Sequence, residues 1–200
     1  MFKAELSELL FPSRCVSCGV LGITICSRCR AHWNPHIYRQ QLSGLPIYSA
    51  MKYSPAAQKI ILGAKESGYR ECDLLIIDAL SHIWRQAMRE LGPATLIPIP
   101  SKKSALRKRG RDFVVAITSL LEAPYLNALT IKKPVRDQSA LTQQQRSANM
   151  EGAFVLAALP TSDVIIIADI VRSGATLLEA RRACARRGVR VKGAITAVMA

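Results

Sequence analysis

The sequence predicts an α/β domain built around a parallel sheet, preceded by a small segment organised by cysteines. Two observations support the α/β domain: a strand, loop and helix pattern over residues 164–187, and amphipathic helical patterns that alternate with short apolar runs. A third, two Cys-x-x-Cys pairs before residue 30, supports the cysteine segment. We divide the chain into residues 1–45, a short helix with the cysteines, and residues 46–200, the main domain.

Composition narrows the class of protein. Half of the 200 residues are hydrophobic, which suffices for a sizeable core, yet no apolar run reaches the ~18 residues of a membrane span. Met1 to Leu10 is interrupted by Glu5 and Glu8, which is untypical of a signal peptide and suits a short amphipathic helix. We therefore expect a cytoplasmic protein without a membrane span.

The first chemical feature is a group of four cysteines. Cys15 and Cys18 form one Cys-x-x-Cys pair, and Cys26 and Cys29 form the next. Two such pairs are the spacing of two zinc knuckles that share one tetrahedral ion, and a closed site of four thiolates is structural rather than catalytic. Structural Zn²⁺ is favoured, with free thiols or disulfides as the alternatives.

The elements up to residue 100 follow from turn signals and spacing. Residues 31–45 are polar and are predicted to be an irregular link. Strands are predicted near 46–53 and 95–100. The prolines of the second strand suit a sheet edge, or a strand that leads into an unusual turn. Helices are predicted at 55–65, with Ser54 as the N-cap and Gly68 after the C-terminus, and at 73–90. The apolar side of the second helix is predicted to comprise Leu74, Ile77, Leu80, Ile83, Trp84 and Met88.

A basic segment follows the second strand. The net charge is +14, and half of this excess lies within residues 101–150, with a dense run from Lys102 to Arg111. We predict that this run is a loop, followed by a helix over 112–122 and a strand near 125–132. A strand followed by a basic loop suits a pyrophosphate, but Lys and Arg equally contact a nucleic-acid backbone. A solvated basic face is the plain alternative.

Residues 132–152 are polar and rich in Gln. The segment is long for a connector, and long loops of this kind often act as lids. A surface loop followed by a short helix is the alternative.

The stretch from Val164 to Thr176 carries the clearest ligand signal. A run of β-branched residues predicts a central strand buried on both faces, and a helix is predicted over 177–187, ended by Gly188. The small polar loop between them would direct backbone N–H groups and a helix N-terminus at a phosphate. Gly174 permits close approach of the backbone, and Ser173 and Thr176 add hydroxyl groups. An ordinary turn capped by Ser173 is the alternative.

This stretch resembles the phosphoribosyl-pyrophosphate (PRPP) motif of type I phosphoribosyltransferases. The resemblance implies that Arg172, Ser173, Gly174, Ala175 and Thr176 hold the 5′-phosphate. It further implies that Asp169, the second of the motif's two acidic positions, is the catalytic-site carboxylate near the ribose hydroxyls. Ala168 occupies the first acidic position, and Arg172 stands where the family has Thr or a carboxylate.

Four features in order resemble the ComF family of competence-associated, phosphoribosyltransferase-like proteins. They are the paired cysteines, Ile97 to Pro100 before the basic segment, the PRPP-like motif, and between them Gln138 to Leu141, Gln145 to Asn149 and Gly152 to Phe154. The resemblance implies a type I phosphoribosyltransferase-like sheet, with strands also at 164–169 and 191–199. It implies that Ser101, Lys102 and Lys103 face the pyrophosphate, that the loop with Arg146 closes over it, and that Mg²⁺ accompanies PRPP.

The resemblance therefore implies a protein that binds PRPP or another phosphoribosyl compound. The replaced carboxylate at Ala168 and the charge of Arg172 favour weak or lost transferase (glycosyltransferase) activity. The alternative is a DNA-handling protein linked to competence, which would bind single-stranded DNA or the DNA-uptake machinery through its zinc knuckle and basic surface.

Overall fold

The computed structural model describes residues 12–133, 142, 145 and 149–200. Its strands are β1 Tyr38–Leu42, β2 Leu45–Lys52, β3 Thr95–Pro98, β4 Leu129–Ile131, β5 Phe154–Leu156, β6 Val164–Val171 and β7 Val191–Met199. Its helices are α1 Ser27–Ala31, α2 Pro55–Ser67, α3 Arg70–Leu91, α4 Lys103–Arg109, α5 Phe113–Thr118 and α6 Ala175–Ala185. The helix predicted near residues 1–10 and most of the predicted lid, with Arg146, lie outside the described residues.

The main sheet has five strands in the order β1-β2-β7-β6-β3. Strands β2, β7, β6 and β3 are mutually parallel, and β1 is antiparallel to β2. In the middle of β6, Ile166 lies opposite Ile97 of β3 on one side and Ala194 of β7 on the other. The predicted central strand and the predicted edge position of β3 are both confirmed.

The two faces of β6 contribute to two hydrophobic cores. Ile165 and Ile167 belong to the core formed with α2, α3 and α5, whereas Ile166 and Ala168 belong to the core formed with α6, β4 and β5. This alternation follows from the two-residue period of a strand, which turns successive side chains to opposite faces. The predicted α/β class, a mostly parallel sheet with helices on both faces, is therefore confirmed.

The boundaries of α2 agree with the sequence prediction, whereas the start and the buried face of α3 differ from it. Helix α2 is capped by the Ser54 hydroxyl, which accepts a bond from the Ala57 N–H at 3.1 Å, and Gly68 ends it, as predicted. Helix α3 begins at Arg70, and Leu74, expected on its apolar side, is 54% exposed, whereas Leu75 is buried. Apolar residues occupy several consecutive positions there, so the period alone cannot select the buried face. No helix of the described ranges is long and apolar enough to cross a bilayer.

The predicted irregular link over 31–45 is wrong in its second half. Residues Tyr38–Leu42 form β1, which pairs with β2 through the turn at Ser43 and Gly44. The polar composition concealed this strand because an antiparallel edge strand exposes much of its surface. Its alternating burial, half-buried at Tyr38 and exposed at Arg39, agrees with that position.

Two further predictions between residues 101 and 132 need correction. The basic run is helix α4 and not a loop, with Gly110 in the left-handed conformation at its C-terminus. The strand predicted over 125–132 shortens to β4, which pairs with β5 in a separate two-stranded sheet. Only one bridge, between Tyr125 and Leu96, joins this region to the main sheet among the described residues.

Candidate functional site

The loop after β6 leads directly into helix α6. The N-cap of α6 is Gly174, with a φ of 73°, and it makes no side-chain capping hydrogen bond. Ser173, which the alternative of an ordinary turn made the cap, is therefore not the N-cap of this helix. The first N–H groups of α6 can serve an anion, because a helix N-terminus concentrates free donors and positive potential.

Besides the backbone angle, a close neighbour also explains why residue 174 is a glycine. A Cβ at this position would lie 1.9 Å from Cδ2 of Leu42, the last residue of β1. The sequence suggested that glycine leaves room for the ligand, but the nearest neighbour is the β1–β2 hairpin. A side chain at residue 174 would therefore displace at least the Leu42 side chain of this hairpin.

Asp169 forms an ion pair that the sequence did not reveal. Its Oδ2 accepts a hydrogen bond from Nζ of Lys65, in the last turn of α2, and its Oδ1 accepts one from the N–H of Ile170 at 2.9 Å. Both side chains are mostly buried, with 25% exposure for Lys65 and 17% for Asp169. A helix-terminal lysine offers no sequence signal that separates it from an ordinary solvated residue.

The loop after β3 reaches the same edge of the sheet. The N–H of Ile99 donates to the Ile167 carbonyl at 3.0 Å, which extends the pairing of β3 and β6 by one residue beyond β3. Ser101 then donates its N–H and its hydroxyl to the carboxylate of Asp112, at 2.8 and 3.0 Å. Asp112 thus holds the loop in place, and the Ser101 hydroxyl is bonded within the protein.

Ion pairs hold the basic helix α4 to α2 and hold the residues that follow α4 to α3. Glu66 accepts from Arg109 at 2.6 Å and from Lys108 at 3.2 Å, and Arg109 lowers the pKa of Glu66. Arg111 donates to both carboxylate oxygens of Asp73, at 2.8 and 2.9 Å, which raises the Arg111 pKa. The buried Nε of Arg109 makes no hydrogen bond within the described part of the chain.

These loops line three adjoining cavities, which together form the cleft. The phosphate-loop cavity, about 440 Å³, is lined by residues 168–177 and by α2. The central cavity, about 740 Å³, lies between Asp169 and α4, and shares Lys65, Asp169 and Thr176 with the first. The basic cavity, about 710 Å³, shares Ser101 and Lys102 with the central one. Its cations are Lys102, Lys103, Arg107, Lys132 and Lys133.

The structure brings most of the predicted ligand residues to this cleft. Asp169 and residues 172–176 line the phosphate-loop cavity, Ser101 and Lys102 line the other two cavities, and Lys103 lines the basic one. Arg146 lies outside the described residues. The sequence missed Lys65, and also Glu66 and Arg109, because α2 and α4 meet the sheet edge only after folding.

The four N-terminal cysteines form a second, separate cluster. Their sulfur atoms all lie within 4.8 Å of one another, and Sγ of Cys18 and Sγ of Cys26 are 3.6 Å apart. Four thiolates around one Zn²⁺, at about 2.3 Å in a tetrahedron, would be roughly 3.8 Å apart. The cluster therefore fits a tetrahedral metal ion, although its exposure differs, with Cys15 and Cys29 buried and Cys18 exposed.

Local hydrogen bonds and crowding shift the pKa values of Cys15 and Cys29 in opposite directions. Burial raises the pKa of Cys15, but N–H groups of Cys26, Cys18 and Ser17 outweigh burial and bring the pKa to about 6. Ser17 lowers the pKa of Cys29, but burial and the three neighbouring thiols raise the pKa to about 11. Four thiolates this close need a cation to neutralise them, which a bound metal supplies.

The cysteine segment packs on the side of the main domain that carries α2 and α3. Cys15, Ile25, Cys29 and Trp33 belong to the same hydrophobic core as α2 and α3. The Trp33 indole donates to the Leu75 carbonyl at 3.2 Å. The division at residue 45 remains a prediction, because shared packing does not test whether either part folds alone.

The expected Mg²⁺ fits the described residues poorly. Mg²⁺ prefers carboxylate and phosphate oxygens. Among the described residues that line the cleft, the carboxylates are Asp169, Glu66 and Asp112, and each accepts hydrogen bonds from a lysine, an arginine or a serine. The protein would have to break an ion pair to hold the ion with Asp169 or Glu66.

Comparisons with known proteins add little to this geometry. No protein-family model and no curated protein matches the chain. Among solved structures, the chain is similar to an adenine phosphoribosyltransferase from Saccharomyces cerevisiae, with 14% sequence identity over 88% of this chain and 90% of that chain. The TM-score is 0.44, which is too low for this likeness to support a statement about the site. The ComF resemblance stays a prediction.

Proposed function

We propose that this protein binds PRPP or a related phosphoribosyl compound in a cleft like that of type I phosphoribosyltransferases. The observation that carries the proposal is the glycine-capped loop of residues 172–174, which opens into the same cavity as Asp169. Donors for a phosphate and a carboxylate that can accept from ribose hydroxyls therefore line the same cavity. The position also agrees with the rule that α/β sheets bind ligands at the carboxyl ends of their strands.

Each part of the ligand has a distinct set of partners in this proposal. Residues 172–176 hold the 5′-phosphate, and Asp169 accepts bonds from the ribose hydroxyls. Lys102 and Lys103 attract the pyrophosphate, and the backbone at Ser101 directs that loop. Arg146 closes over the ligand. Mg²⁺ would arrive on the pyrophosphate. Its oxygens would supply the ligands that Asp169 and Glu66 do not offer while they are held in ion pairs.

We propose further that transfer of the phosphoribosyl group is weak or absent. Ala168 is 5% exposed and offers no carboxylate beside Asp169. Arg172 is exposed at the edge of the phosphate-loop cavity, where its charge strengthens phosphate binding. The same charge opposes the positive charge that develops on the sugar when the bond to pyrophosphate breaks.

The test combines binding and turnover. Titration calorimetry should detect PRPP, and Asp169→Asn should weaken its binding by about tenfold, the cost of one charge-assisted hydrogen bond. Pyrophosphate release is then measured for the parent and for Ala168→Asp with Arg172→Thr, across the common nucleobases. The double variant should be faster. A parent that turns over PRPP at ~1–10³ s⁻¹ would refute the weak-transfer proposal.

A DNA-handling function is the second candidate, favoured by the basic cavity. Five cations line it, and Asp112, the one carboxylate among the described lining residues, is bonded to Ser101. Affinity for single-stranded oligonucleotides is measured at two salt concentrations in the parent and in Lys132→Gln with Lys133→Gln. Binding that falls steeply with salt and with this substitution, without any PRPP binding, would favour the second candidate.

A further inference from the structure

Lys65 and Asp169 occupy the junction of two cavities. Both line the phosphate-loop cavity and the central cavity, and the other residues shared by these cavities, Leu62, Ile99 and Thr176, carry no charge. The ion pair is thus the charged feature common to the two spaces among the described residues. A ligand that spans them must contact this pair or displace it.

The ammonium of Lys65 lies against the carboxylate of Asp169, at the junction of the two cavities. It directly contacts Oδ2 of Asp169, and its Nζ is 6.0 Å from the centre of the Phe113 ring. A lysine ammonium is a compact point charge with three donors, so it can bond Asp169 and a ligand oxygen at the same time. The partial burial of both side chains strengthens their attraction and limits screening by salt.

We propose that Lys65 replaces Mg²⁺ at the sugar end of the site, so that pentose 5-phosphates bind without a divalent cation. This inference rests on the proposed function, because it assumes that the cleft binds a phosphoribosyl group. The ligand class is a sugar monophosphate whose phosphate contacts residues 173–176 and whose hydroxyls bond both Asp169 and Lys65. Only a ligand with a pyrophosphate would bring Mg²⁺ to this cleft, on its own oxygens.

The experiment uses ribose 5-phosphate and Mg²⁺ as separate probes. The dissociation constant of ribose 5-phosphate is measured by calorimetry with the full chain, first after dialysis into buffer without divalent cations, which removes weakly bound Mg²⁺, and then with added Mg²⁺. The parent should give the same value within about twofold. Lys65→Met should weaken the binding of ribose 5-phosphate without Mg²⁺ by about tenfold or more, because one charged hydrogen bond is lost. Mg²⁺ should then restore part of the affinity, because the substitution frees the Asp169 carboxylate.

Two variants control this result. Lys65→Arg keeps the positive charge and should retain binding without Mg²⁺. Lys59→Met, in the same helix but outside the residues that line the cleft, should leave the dissociation constant unchanged. Thermal unfolding of each variant establishes that it is folded. Should Lys65→Met fail to fold, Lys65→Gln takes its place, because it also removes the positive charge but keeps a polar side chain.

The outcomes separate the two proposals. Ribose 5-phosphate binding in the parent that requires Mg²⁺ overturns the role of Lys65 and leaves the proposed function standing. Equal binding without Mg²⁺ by the parent and by Lys65→Met also overturns that role alone. Absence of binding by the parent to both ribose 5-phosphate and PRPP, with and without Mg²⁺, overturns both.

Discussion

The cysteine cluster and the cleft are two candidate binding sites assembled in opposite ways. The ligands of the cluster all come from residues 15–29, a single short segment whose turns bring the sulfur atoms together. The cleft draws Lys65 from α2, Ser101 from the loop after β3 and Asp169 from β6, and no two of these are neighbours in the sequence. One site is local, and the other exists only because a sheet and its helices are packed.

This difference determines how each site responds to damage. A local site depends on its ligands and on the ion, so a single ligand substitution should abolish it. A cleft made from distant elements depends on the packing that orients them, so it should lose geometry gradually as individual contacts are removed. Substitutions in each site test this contrast, from the largest expected effect to the smallest.

Loss of one cysteine should have the largest effect. Cys15→Ser should remove zinc from the purified protein and lower the melting temperature by about 10 °C or more, because several kcal/mol of folding energy are lost with the ion. Elemental analysis and thermal unfolding measure both. Cys184→Ala, at a buried lone cysteine of α6, should keep full zinc content. A zinc content unchanged by Cys15→Ser, or a parent without zinc, would contradict the local site.

A side chain at Gly174 should affect the cleft through the β1–β2 hairpin. Gly174→Val combines an unfavourable φ of 73° with a clash against Leu42, and should cost about 3 kcal/mol of unfolding free energy. Gly188→Val provides the matched control, because its φ of 71° is nearly the same and no atom lies within 4 Å of its Cβ. It should therefore cost less.

Adding Leu42→Ala to Gly174→Val should recover part of the lost stability. Chemical denaturation gives these free energies. Equal losses at residues 174 and 188 would show that the backbone angle, and not the contact with Leu42, accounts for Gly174.

Removal of one ion pair should have the smallest effect. Glu66→Gln loses the charged contacts to Arg109 and Lys108. At neutral pH it should cost about 1 kcal/mol, since Lys108 is 76% exposed and the amide oxygen of Gln can still accept from the largely buried Arg109. The folded-state pKa of Glu66 is lowered, chiefly by Arg109, so its contribution is present above its ordinary pKa and is lost as pH falls below that value.

The stabilities of the parent and of Glu66→Gln should therefore converge on acidification. Urea unfolding across pH 3 to 7 measures this difference. A stability difference between the two proteins that grows toward low pH would show that the Glu66 carboxylate does not stabilise the protein through its ion pairs to α4.

The cysteine spacing, the buried strand β6 and the glycine-ended loop after it could be predicted from residues close together in the sequence. Local patterns suffice for these features because a strand period, a helix cap and a Cys-x-x-Cys turn each involve only a few consecutive residues. The same patterns correctly indicated an α/β class. The role of Ser101 was implied only by the family resemblance, and the structure places Ser101 and residues 172–176 along one cleft.

Tertiary structure alone decided which charges meet in that site and which edge of the sheet β1 covers. Lys65 reaches Asp169 across more than a hundred residues, and Leu42 packs on Gly174. Neither contact leaves a trace in local spacing, because α2 and β1 are placed by the hydrophobic cores and by strand pairing. The sequence by itself therefore determined the buried strand β6, the cap and end of α2, and the cysteine cluster. The packing decided the ion pair, because only burial on the folded sheet brings an ammonium and a carboxylate from distant elements into contact.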